Sequence, residues 1–190
     1  MKRNLITKLI TGVFIVILVG MESYQAVSAQ PVRVGVNYTY RNAEPKSGFG
    51  ILLEPTVYSI SRFDIDVRGS FNTLNTQDSR TYFDETFNIK VNHYDVCVDA
   101  LGRLKFNYID PYIALGVGYT SYKIVGRGYS QIKTGFLYDG SVGLELNPIP
   151  YIKPFVEYKY TRSNVNRAQI LLFNPNNSFG QLEVGLNVKF

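Results

Sequence analysis

Four residues able to do chemistry stand at a spacing of two: His93, Asp95, Cys97 and Asp99. Imidazole, thiolate and carboxylate are metal ligands, and they are also partners in proton transfer. On an extended strand alternate residues share a face, so all four would look to the same side. A wider set of charges falls on similar strand-like segments: Glu54, Asp64, Asp66, Arg68, Glu145, Glu157 and Lys159, with Lys153 nearby. If those faces turn inward, every charge needs a partner, because an unpaired buried charge is costly. The expectation is therefore an interior polar network to which His93 belongs, with no catalytic residue, no metal and no cofactor.

The elements that position these residues are strands. Past residue 29 no stretch is long and apolar enough for a membrane helix, and what recurs is period two. In 181–190, Leu182, Val184, Leu186, Val188 and Phe190 alternate with Gln181, Glu183, Gly185, Asn187 and Lys189. Segments 32–40 and 63–71 repeat the pattern, and weaker strands fall at 49–59, 91–101, 111–122, 135–146 and 151–161. Eight strands, an even number, suit a closed antiparallel up-and-down barrel.

The polar faces indicate which way the apolar faces point. They carry Gly, Asn, Ser, Tyr and charges of both signs, and Gly35, Gly116, Gly118 and Gly143 suit a crowded interior better than a solvated strand surface. Apolar residues facing outward to lipid are the expectation, and the fold class is all-β, a transmembrane β-barrel. A soluble barrel with apolar residues inside is the competing fold.

The breaks between strands alternate long and short: 41–48, 60–62, 72–90, 102–110, 123–134, 147–150 and 162–180. Short periplasmic turns and long external loops give that alternation, with both termini periplasmic. The break at 102–110 is long for a turn, and Leu104 and Phe106 indicate that flanking strands extend into it. Pro31, Pro55, Pro111, Pro148, Pro150 and Pro154 gather toward the periplasmic end, where a missing N–H costs the ladder least. Tyr38, Tyr40, Phe71, Tyr119 and Tyr160 would make an outer aromatic girdle, with Phe63 and Phe190 at the inner one. Phe87, Ile89 and Val91 are apolar at odd positions, whereas from Tyr94 onward the apolar set is even. That phase change predicts a β-bulge near Asn92 and His93, with residues 87–91 projecting above the membrane.

Residues 1–29 read as a secretory signal peptide: Lys2, Arg3 and Lys8, an apolar run over 9–20, then Ala26-Val27-Ser28-Ala29 before Gln30. The run is about twelve residues, short of the roughly 20 of a spanning helix. Cleavage after Ala29 would leave a barrel domain at 30–190. It would also remove Lys2, Arg3, Lys8 and Glu22, taking the net charge from +5 to +3, too mild a charge for a nucleic-acid partner. The one cysteine, Cys97, allows no intramolecular disulfide.

Pro111-Tyr112-Ile113-Ala114-Leu115-Gly116-Val117-Gly118-Tyr119 and the strand ending in Phe190 resemble the small outer-membrane barrels typified by outer-membrane protein A and the eight-stranded opacity-type proteins, barrel domain only. The resemblance spans most of residues 30–190. It implies export to the bacterial cell outer membrane and contact with its lipid and lipopolysaccharide. It also implies that Phe190, Val188 and Leu186 form a signal read by the barrel-assembly machinery while facing lipid. No peptidoglycan-binding domain follows Phe190, so the tethering role of longer relatives is not expected.

Some outer-membrane barrels are lipid A deacylases or palmitoyltransferases that use a histidine and a serine. His93 has no serine two residues away, and Asn92-His93-Tyr94-Asp95 does not match the deacylase pattern. Gly126-Arg127-Gly128 lacks the strand-to-helix context of a phosphate loop, and reads as an external loop whose arginine could contact lipopolysaccharide phosphates. Ile170, Leu171, Leu172 and Phe173 form an apolar run in the last external loop. It marks a contact surface for a host or cell-surface ligand, or packs on neighbours if the hairpin protrudes. The expected role is non-catalytic: structural, or surface-interacting and adhesion-like through the external loops, as a surface antigen would be. The alternatives are a narrow porin-like channel or small-solute carrier and, behind it, a lipid A-modifying enzyme.

Overall fold

The computed structural model describes residues 31–43, 45–82, 85–126, 129–165 and 178–190. The signal peptide expected at 1–29 and the run Ile170–Phe173 lie outside them, as does Arg127.

Eight strands follow one another: Val32–Arg41 (β1), Ser47–Ile60 (β2), Phe63–Tyr82 (β3), Glu85–Leu104 (β4), Ile109–Gly126 (β5), Tyr129–Leu146 (β6), Ile152–Ser163 (β7) and Ser178–Lys189 (β8). Each pairs antiparallel with the next, and β8 pairs with β1 from Arg33↔Lys189 to Arg41↔Gln181, closing the barrel. The eight-stranded antiparallel barrel and its closing pair agree with the periodicity of the sequence.

The alternation is explicit in the strands. On β1, Arg33, Asn37, Thr39 and Arg41 are buried, while Val34, Val36, Tyr38 and Tyr40 are exposed. Leu115 is 74% exposed and Val36 57%, values that suit an apolar solvent and not water. Outward aromatics meet across strand pairs at one level: Tyr38 with Phe49 at 5.2 Å, Phe71 with Tyr94 at 6.4 Å, Tyr119 with Phe136 at 5.9 Å. Tyr58, Phe63, Phe106, Tyr108, Tyr151 and Phe190 are exposed toward the opposite end. These are two girdles.

Short turns at 61–62, 105–108 and 147–151 mark one end of the barrel, which also carries Pro31 and Phe190. Ser61, in the tightest of them, holds φ at 34°. At 102–110 the strands do extend into the break, leaving 105–108.

Two expectations are corrected. The breaks at 72–90 and 123–134 are mostly paired strand, since the ladder continues to Tyr82↔Glu85 and to Gly126↔Tyr129. A hairpin standing clear of lipid needs no apolar outer face, so the alternation fades while the hydrogen bonds persist. Nor is there a bulge at Asn92 or His93, because β3 and β4 keep one register from Phe63↔Leu104 to Tyr82↔Glu85. The irregularity lies instead on β2, between Thr56 and Tyr58. It follows Pro55, which has no N–H to give the ladder.

Candidate functional site

The inward side chains form three layers of charge under an apolar collar. Nearest the turns, Arg33 and Arg103 face Glu54, Asp64, Asp66 and Glu145. Arg103 Nε donates to Asp66 Oδ2 at 3.0 Å, its Nη1 lies 2.9 Å from Glu145 Oε2, and its Nη2 pairs with Glu54. Arg33 stands 3.4 Å from both Glu54 and Asp66, and Lys105 reaches up to donate to Asp64 at 2.7 Å.

In the middle layer Arg68 grips Glu157 through both terminal nitrogens, Nη1 to Oε2 at 2.6 Å and Nη2 to Oε1 at 3.0 Å, while its Nε donates to Asp99 at 2.8 Å. Forked pairing of this kind is the strongest carboxylate recognition a side chain offers. Lys159 Nζ lies 3.6 Å from both Asp99 and Glu157 and 3.9 Å from Glu183. Tyr112 Oη donates to Glu157 at 2.8 Å, and Asn37 Nδ2 donates to Glu183 at 2.8 Å.

Tyr112 can lie flat here because Gly143 stands opposite it on β6. A Cβ on Gly143 would fall 2.2 Å from the phenol ring. Arg103 lies over the same ring, 5.0 Å from its centroid.

In the upper layer Arg41 pairs with Asp95, donates from Nε to Gln181 at 2.8 Å, and stands over the Phe179 ring at 4.5 Å. Its Nη1 lies 2.6 Å from His93 Nδ1. A guanidinium only donates, so Nδ1 carries the lone pair and the proton sits on Nε2. That nitrogen lies 2.6 Å from Thr120 Oγ1 and 2.8 Å from Asp95 Oδ1. Tyr122 stacks on the imidazole with centroids 4.0 Å apart. Above it, Val91, Tyr122, Ile124 and Val165 make a buried apolar cluster.

All seven charged residues of the expected network therefore lie inside the barrel and buried: Glu54, Asp64, Asp66, Arg68, Glu145, Glu157 and Lys159. Leu186, Val188 and Phe190 point outward. His93, Asp95, Cys97 and Asp99 do share the inner face. They do not converge on one point, since His93 and Asp95 belong to the upper layer and Asp99 to the middle one. Both His93 nitrogens are engaged, Cys97 is a buried free thiol, and no cluster of three metal-binding side chains occurs among the described residues.

Sequence reasoning turned Glu183 inward with the other polar residues of 181–190, but left Arg33, Arg41, Arg103, Asp139 and Tyr112 out of the network. Parity on their own strands would have placed the first four, since each lies an even number of residues from an inward polar neighbour. Tyr112 needed the glycine opposite, which only the register reveals.

A closed barrel with a greasy outer wall, two aromatic girdles and an ion-paired interior is a transmembrane barrel of the outer-membrane type. Residues 11–190 match the family described as outer membrane protein beta-barrel domain, and the chain belongs to that family. Its members implicate the bacterial outer membrane, so the turn end is periplasmic and the hairpin end external. Among solved structures, a major outer membrane protein from Thermus thermophilus is similar at TM-score 0.64 with 9% identity, covering 86% of this chain and 100% of that one. Neisserial surface protein A matches at TM-score 0.59 with 15% identity, over 87% and 100%. Ail, the attachment invasion locus protein of Yersinia pestis, matches at TM-score 0.57 with 18% identity, over 86% and 100%. These likenesses are of fold. No curated protein sequence matches.

Proposed function

We propose that this barrel is a non-catalytic surface protein, exported through a cleaved signal peptide, that meets its partners through its external hairpins. The observation carrying the reading is the interior. Arg33, Arg41, Arg68, Arg103, Lys159, Glu54 and Glu145 are fully buried there and held by interior partners of opposite charge, which leaves the outer ends of the strands as the surface free to engage something else. Loops on a rigid scaffold are where binding is commonly carried. β3 with β4 and β5 with β6 supply the material, since both pairs stay hydrogen-bonded to their tips. The attachment named for the Yersinia relative is in keeping with such a role.

Lipopolysaccharide, a host or neighbouring-cell ligand, and the barrel-assembly machinery acting on Leu186, Val188 and Phe190 are the partners proposed. The test is to replace residues 77–90 with a two-residue turn. Heat-modifiable migration of the folded barrel should persist while adhesion of expressing cells to host cells falls to background. Unchanged adhesion after this change, and after shortening 164–177 in the same way, would overturn the reading.

The narrow-channel alternative requires a path through three layers of paired side chains and an apolar collar. Silent planar bilayers are the expected result. The enzyme alternative requires a histidine free to take a proton, and both His93 nitrogens are already bonded. Lipid A mass is expected to be unchanged on expression.

A further inference from the structure

The three layers are not equally balanced. In the upper one Arg41 faces Asp95. Near the turns Arg33, Arg103 and Lys105 face Glu54, Asp64, Asp66 and Glu145. In the middle one Arg68 and Lys159 face four carboxylates: Asp99, Asp139, Glu157 and Glu183. Arg68 takes Glu157 and one oxygen of Asp99, and Lys159 spans Asp99, Glu157 and Glu183. Asp139 is left over. Its side chain is buried, with 7% of the residue exposed, and neither Oδ1 nor Oδ2 has a hydrogen-bond partner among the described residues.

Asp139 is aimed at Asp99. The two residues flank Gly116 in one row of the ladder, Asp99↔Gly116 on β4 and β5 and Gly116↔Asp139 on β5 and β6. A Cβ on Gly116 would stand 2.0 Å from Asp99 Oδ1 and 2.6 Å from Asp139 Oδ1, so both oxygens close on the same point across the glycine. Asp99 Oδ1 also lacks a hydrogen-bond partner. The hydroxyl of Ser141, the next inward residue after Asp139 on β6, lacks one as well. Two carboxylate oxygens driven together without a donor between them repel, and a buried anion without compensation is costly.

We propose that the Asp99–Asp139 pair binds one divalent cation of hard-oxygen preference, calcium, inside the barrel. One such ion closes the two-charge deficit of the middle layer. Its ligands would be carboxylate oxygens from two strands, completed by hydroxyl and water oxygen, the donor set that calcium accepts in flexible geometry. Magnesium is disfavoured, since it demands a near-ideal octahedron that a rigid ladder with two carboxylates on one side does not supply.

The test uses the barrel purified in detergent micelles and freed of lipopolysaccharide, refolded in the presence of radioactive calcium chloride and brought to equilibrium by dialysis. The wild-type barrel should hold one calcium per chain, and excess magnesium chloride should not displace it. Asp139→Asn, which keeps the shape and removes the charge, should weaken retention at least about tenfold. Asp110→Asn, at the turn end where the carboxylate accepts from Phe106 N–H, should bind as the wild type does. Binding no higher than in empty micelles, equal displacement by magnesium, or undiminished retention in Asp139→Asn would each overturn the proposal. The wild-type stoichiometry and the magnesium competition decide it even if the variant does not refold.

Discussion

The barrel obeys opposite rules at its two levels. Between the aromatic girdles the charges are inside and the apolar side chains outside: on β4, Asp95, Asp99 and Arg103 are buried and Val98 is exposed. A few residues further along the same strands the arrangement inverts. Val91, Tyr122, Ile124 and Val165 are buried, and Lys90 and Lys123 on the neighbouring outer face are exposed. The backbone does nothing different, because the register of β3 with β4 never slips. What changes is the medium. Lipid admits apolar residues outside and leaves the polar ones to satisfy each other within, whereas water around the projecting hairpins restores the ordinary preference for an apolar interior.

The largest break in that contrast should come from the charged level. Arg68→Leu leaves Glu157 and Asp99 buried without their main partner, and the expected loss is about 3–5 kcal/mol, read from urea unfolding in vesicles. On the outside of the same level, Leu115→Arg places a charge against hydrocarbon and should cost about 2–4 kcal/mol by the same measurement. At the inverted level the effects shrink. Ile124→Val removes one methyl from the collar, for an expected loss of about 0.5–1.5 kcal/mol. Its neighbour Lys123 faces water, so Lys123→Gln should stay within about 0.5 kcal/mol of wild type. If Lys123→Gln proved as costly as Leu115→Arg, the boundary between the two levels would be in the wrong place. Cys97 sharpens the picture without a substitution: it is buried at the charged level and should resist maleimide in the folded barrel, then react in urea.

This inversion also explains which parts of the fold were legible in the sequence. Alternation with a greasy outer face is strong wherever lipid imposes it, so 32–40, 63–71 and 181–190 could be read directly, and with them the inner placement of Asp64, Asp66 and Arg68. The phase change at Val91 looked like an inserted residue, because period two was taken to keep one polarity along a whole strand. The true irregularity, at Val57 two residues after Pro55, moves the outward set from Phe49, Ile51 and Leu53 to Tyr58 and Ile60, and too little strand follows it for that change of parity to be read from the sequence. The middle-layer pairing was hidden for another reason. Asp99 and Asp139 come together across a glycine on the strand between them, and only the register of three strands brings those positions into one row.

The closure of β1 on β8 has a consequence in time. Val32 and Phe190 exchange backbone hydrogen bonds in both directions, N–H of Phe190 to the Val32 carbonyl at 2.9 Å and the reverse at 3.3 Å. The first strand of the barrel is thus sealed by the eighth, and until the eighth arrives β1 has an open edge of unpaired amides. Each hairpin between successive strands is a local event, but the seal must join residues from opposite ends of the domain and meets the entropy of closing its longest loop. The expected rate-limiting step of insertion is therefore this final seam, and circularly permuted barrels that move the seam to another strand pair should shift the slow step with it.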